Sequence, residues 1–181
     1  MVAESMGTVP DAISFEQAIA LSQDLLDQME HATLPESKIE QTIRSLVGSE
    51  NGARGFFVTY LSDTRPLADQ PSVAVIQALQ SAEHIVSPLL VKNLAMSTAM
   101  AITHRRNQNE DLAQGSDRVR SRSVALIHAL PSAQLQDHAQ RLLTSIDTGT
   151  GDYGEFLHRW GYDSQQQQAI RDILEQIGVI Q

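Results

Sequence analysis

Residues 87–106 read SPLLVKNLAMSTAMAITHRR, and the conformation of this stretch decides the fold. Ser87 can accept from the free backbone N–H groups of a first helical turn, and Pro88 suits the first position, where a missing N–H costs nothing. Beyond them Leu89, Leu90, Val91, Leu94, Ala95, Met96, Ala99, Met100, Ala101 and Ile102 cover most of a helical circumference, which marks a helix surrounded by others. The stretch is therefore expected to be the central buried helix, residues 88–106, of an all-α protein. Ala95, Ala99 and Thr103 recur every four residues and form a low ridge that a neighbouring helix can approach closely. Asn93, Ser97 and His104 follow another side as a candidate polar site. Lys92, Asn93, Ser97 and Thr98 interrupt the apolar residues, so no run reaches the ~20 that a membrane span requires.

The flanking sequence reads as helices too. Residues 1–13 are expected to be a flexible lead-in, and 14–181 a single all-helical domain. Ser14 with Gln17 has capping-box spacing before Phe15, Ile19, Leu26 and Met29, a helix running to about His31. Thr33 and Glu36 repeat that spacing before Ile39, Ile43, Leu46 and Val47, with Gly48 as the stop. GFFVTYL, residues 55–61, has strand propensity, but Phe56, Phe57, Tyr60 and Leu61 keep helical spacing and no partner strand exists, so 55–62 reads as a short helix. An extended turn through Arg65-Pro66 follows, then a short helix capped by Ser72. The polar run to Gly115 reads as a connector after the central helix, with Ser116 starting the next helix and Pro131 ending it. Ser132, Asp152 with Glu155, and Ser164 open three more. About nine helices result, forming one bundle.

Composition narrows the function classes. A chain of 181 residues can bury roughly 70% of its unfolded surface without metal or disulfide support. No cysteine is present, which removes disulfides, thiolate catalysis and thiolate metal sites. The formal charge of −9 argues against a nucleic-acid partner, because affinity there rests on cations neutralising phosphates. The first residues carry neither a basic nor an apolar signal-like region, so a cytoplasmic location is the expectation, with no membrane association.

Two motif-like strings lose their meaning in context. Gly149-Thr150-Gly151-Asp152-Tyr153-Gly154 matches the dinucleotide-binding G-x-G-x-x-G, yet that chemistry needs a preceding strand and here a helix, RLLTSID, precedes. The glycines read as a helix connector. Glu155 and His158 have the i, i+3 spacing of a di-iron ligand pair, but no second such pair exists and no two histidines stand three or four apart. No metal, cofactor or catalytic residue is expected.

The basic cluster is different. Arg105, Arg106, Arg118, Arg120 and Arg122 oppose only Glu110, Asp111 and Asp117 over the same span. Arg105 and Arg106 suit a helix C-terminus. With a helix starting at Ser116, Arg118 and Arg120 would lie in its first turn, where cations are disfavoured unless an anion is near. The cluster is either an anion- or partner-binding surface or an internal salt-bridge network.

GARGFFVTYL, SPLLVKNLAMSTAMAI and QGSDRVRSRS together resemble an uncharacterised all-helical protein family of cyanobacteria. The resemblance implies a cellular setting and carries no activity. The function expected is a non-enzymatic cytoplasmic helical interaction or regulatory protein with a protein partner, a homodimer included, binding an acidic surface or anion through the arginines. The alternative is a small apolar-ligand binder with a cavity in the helical core near Met96 and Met100.

Overall fold

The computed structural model describes residues 9–10 and 12–178. Of the expected lead-in, residues 1–8 and 11 lie outside this set, while Ile13 is buried. The described residues form nine α-helices and one 3₁₀ turn, with no strand among them. The helices are α1 (Phe15–Glu30), α2 (Glu36–Val47), α3 (Glu50–Ser62), α4 (Val73–Gln80), α5 (Glu83–Arg106), α6 (Glu110–Ala129), α7 (Ala133–Thr148), α8 (Gly154–Trp160) and α9 (Ser164–Gln176); the 3₁₀ turn is Pro66–Ala68. The chain divides into two compact units at Leu89/Leu90, inside α5.

In the first unit α1 and α3 pack most extensively, and α2 packs on α4 and α3. α1 opens on the expected capping box, with the Ser14 hydroxyl and the Gln17 side chain each accepting the other's backbone N–H. GFFVTYL belongs to α3, whose buried Phe56, Phe57, Tyr60 and Leu61 lie inward. Gly55 explains the closeness of α1: a Cβ there would stand 2.4 Å from the Ala18 Cβ and 3.0 Å from two backbone atoms of α1. The Phe56 and Tyr60 rings stack at 5.1 Å, and the Tyr60 hydroxyl donates to the Leu67 carbonyl. That bond fastens the 3₁₀ turn, where an extended turn is expected from sequence.

Several helix starts differ from expectation for physical reasons. α2 has Pro35 as its N-cap residue, without a side-chain cap, because the Thr33 hydroxyl donates instead to the Gln28 carbonyl at the end of α1. α5 begins four residues before Ser87, so Ser87 and Pro88 lie inside the helix. Pro88 there has no N–H to donate to the His84 carbonyl and its ring crowds that group, while His84 is exposed to water. Ala82, Val86 and Leu90 meanwhile continue one buried row at i, i+4 spacing. The Ser87 hydroxyl is buried without a hydrogen-bond partner among the described residues. From Ile85 to His104 no residue of α5 is exposed. The helix is long and apolar enough to cross a membrane by composition alone, and 56% of its most apolar window is buried within the protein.

In the second unit α7 packs on α8 and α9. α7 has its expected Ser132 cap, and Gly149 ends it in the left-handed conformation, φ 71°. Gly151, φ 97°, and the Tyr153 N–H bonded to the Ser145 hydroxyl complete a helix-to-helix connector. Asp152 does not cap α8 as expected; Tyr153 occupies that position and Asp152 pairs with Arg141. α9 is capped by Asp163, not Ser164, in a capping box with Gln166. The low ridge on α5 is used from this side: the buried Gln166 amide donates to the Ala99 carbonyl at 3.1 Å and to the Thr103 hydroxyl at 2.8 Å.

The contact at Gly55 yields a direct test. Gly55→Ala should lower unfolding free energy in urea by about 1–3 kcal/mol, because α1 and α3 must separate to admit one methyl group. An unchanged or raised stability would mean that the two helices do not meet this closely.

Candidate functional site

The basic cluster sits where α5 turns into α6. The turn is much shorter than the sequence suggests: only residues 107–109 intervene, and Gly115 and Ser116 lie inside α6. Asn109 caps α6 by accepting from the Leu112 N–H, with Glu110 and Asp111 in the first turn. Gln108 takes the left-handed conformation, φ 57°, and the N–H groups of residues 107 to 109 bond to carbonyls of Thr103, Arg105 and His104. A glycine within a helix costs only about 1 kcal/mol, which a well-capped start and a packed continuation overcome. Arg118, Arg120 and Arg122 therefore lie mid-helix, and the expected crowding of cations at a helix N-terminus does not occur.

The five arginines have different surroundings. Arg105 bonds through Nη2 to Glu110 Oε1 at 3.1 Å and to Asp117 Oδ2 at 2.5 Å. Asp117 also pairs with Arg120 at 2.9 Å. The Arg105 hydrogen bond, aided by the charge of Arg120, holds the Asp117 carboxyl below its ordinary range, and Arg105 is raised in return. Arg106 turns the other way, to Asp163 Oδ2 at 2.5 Å and to the Gln165 side chain. Asp163 is depressed by Arg106 first, then by the Gln166 backbone N–H that it accepts as cap. Arg122 is 3% exposed and belongs to the interior. Arg118 is half-buried and makes no ion pair or hydrogen bond among the described residues.

The polar stripe of α5 is turned on its own helix. The buried Ser97 hydroxyl donates to the carbonyls of Asn93 and Leu94 at 2.7 and 3.1 Å, while His104 is half-buried. Nothing joins Asn93, Ser97 and His104 through their side chains in the described contacts. Sequence reasoning missed Asp163 and Gln165 as partners of Arg106, although the Asp163–Gln166 spacing is itself a capping signal. It also missed a second polar cluster: the buried Tyr153 hydroxyl lies 2.9 Å from His138 Nδ1, with Lys92 over the Tyr153 ring. Burial pushes the tyrosine up, and burial together with Arg141 lowers the histidine. Among the described residues no three His, Asp or Glu side chains converge as a metal site. A cleft of about 270 Å³ opens in the first unit, lined in part by Met29 and Ile39 and by neither Met96 nor Met100.

A family model described as "Uncharacterised conserved protein UCP020893" matches residues 14–177, and the chain belongs to that family. No curated protein and no solved structure matches the chain.

The depressed Asp117 makes stability pH-dependent with a definite sign. A carboxylate whose folded pKa lies below its unfolded value, about 4, contributes fully above that value, and the contribution disappears as pH falls through the folded pKa. Asp117→Asn should thus lower stability at pH 7 and flatten its decline between pH 5 and the acid limit. Urea unfolding of both proteins at a series of pH values would show it; parallel pH profiles would contradict the assignment.

Proposed function

We propose that this member of the UCP020893 family is a non-enzymatic helical interaction or regulatory protein of the cytoplasm, which binds an acidic partner surface at the junction of α5 and α6. The observation that carries the reading is Arg118. Burying part of a guanidinium without a carboxylate partner is unfavourable, and a bound anion removes that cost. Arg105, Arg106 and Arg120 already have Asp117, Glu110 and Asp163 as neighbours. These pairs hold the guanidinium groups in place around a junction where Arg118 alone of the four accessible arginines has no carboxylate partner among the described residues. All four pairs are solvent-accessible, and exposed pairs of this kind contribute little to stability. Exchanging a carboxylate for a partner's is correspondingly cheap. Arg122 supports the helix from the interior and takes no part in recognition.

The probe is an oligoglutamate peptide, titrated calorimetrically at low salt. Binding should weaken as salt rises, because the charges are exposed. Arg118→Gln should reduce affinity roughly tenfold, the size of one charge-assisted hydrogen bond, with melting temperature unchanged. Equal affinity of the variant, or lost stability with retained affinity, would overturn the reading.

A further inference from the structure

The cleft of the first unit lies where the end of α1, the start of α2, the 3₁₀ turn and the segment before α4 come together. Its walls are apolar, from Met29, Ile39, Pro66 and Leu67, and a carboxylate, Glu36, stands among them. The Ser72 hydroxyl donates to Glu36 Oε2 at 3.2 Å. That bond orients the group and leaves Oε1 without a partner among the described residues. No lysine or arginine of the described residues pairs with Glu36. Arg65, next in sequence to the Pro66 wall, is fully engaged by Asp63, Asp27 and Glu30.

We infer that this cleft binds a small alkylammonium ligand, its cationic head on Glu36 and its short apolar stem between Met29, Ile39 and Leu67. Charge fixes the sign of the head group, since an anion would meet the Glu36 carboxylate, which has no cationic partner among the described residues. The side-chain oxygen of Gln70, at the same cleft, offers a second acceptor to an ammonium group, which has three donors to place. Size fixes the stem. The cleft is smaller than the roughly 300–1,000 Å³ typical of drug-sized ligands, so a chain of a few methylenes suits it and a ring system does not. Met29 supplies a thioether wall that adapts to stems of different length. The site lies in the first unit and is independent of the arginines of the second, so either assignment can fail while the other stands.

Methionine methyl groups labelled with carbon-13 make the test direct. The full-length protein is titrated at low salt with n-butylammonium, and in parallel with n-butanol and with butyrate. The expected result is a saturable shift of the Met29 methyl resonance by the amine, larger than any shift at Met96 or Met100, and little response to the alcohol or the acid. Glu36→Gln, an exposed and isosteric change, should weaken amine binding roughly tenfold, the loss expected for one charge-assisted contact. A Met29 methyl that does not move, a response to butanol equal to that of the amine, or unchanged affinity in Glu36→Gln would each refute the inference.

Discussion

Helix α5 gives water only partial access. From Ile85 to His104 every residue is buried or half-buried, and Leu90, Val91, Leu94, Ala95 and Ala99 are wholly so. A helix apolar around most of its circumference is stable in water only when other elements cover it, and the residues of α5 belong to both compact units. Its hydroxyl-bearing residues obey the same constraint. Ser97 and Thr98 donate to carbonyls one turn back on their own helix, which lets them enter the interior without a partner elsewhere, and Thr103 does the same while accepting from Gln166. Gln166 is the polar exception from outside, and its amide reaches the Ala99 carbonyl because alanine puts nothing larger in the way.

Close approach by small residues recurs in the first unit, where Gly55 of α3 faces Ala18 of α1. The aromatic residues beside it then fill the volume next to the contact, with Phe56 between Phe57 and Tyr60. Tyr60 carries the arrangement outward through its bond to Leu67, and the turn so fixed forms one wall of the cleft. A chain of packing thus runs from a glycine in the interior to the cleft beside Glu36. In the second unit ion pairs do the comparable work at α5's end, joining it to α6 through Asp117 and to α9 through Asp163.

Much of this fold is legible in the sequence because its signals are local. Ser14 with Gln17, Ser72, Ser132 and Gly149 act as read, and the apolar circumference of residues 89–102 correctly marks a buried helix. Helical spacing also decides Phe56 to Leu61 against their strand propensity, since no second strand was available to pair. Two misplaced starts, those of α5 and α6, come from signals that packing or a better cap overrides. Ser87-Pro88 and Gly115-Ser116 look like boundaries, yet an uninterrupted buried row at Ala82, Val86 and Leu90 and a good cap at Asn109 carry both helices through them. The arginines were visible as a group, but their partners were legible only in part. Glu110 and Asp117 are near in sequence, whereas Asp163 is 57 residues from Arg106, and the burial of Arg122 depends on packing that spacing does not reveal.

The central claim is that α5 is the most protected element of the protein, and amide hydrogen exchange measures that protection residue by residue. Buried, hydrogen-bonded amides exchange only through the largest openings, whereas peripheral helices open locally. The account predicts that the amides of Leu90 to Thr103 are the slowest in the protein and share one opening free energy. Faster exchange there than in α1 and α3, or a spread of rates along the helix, would contradict it.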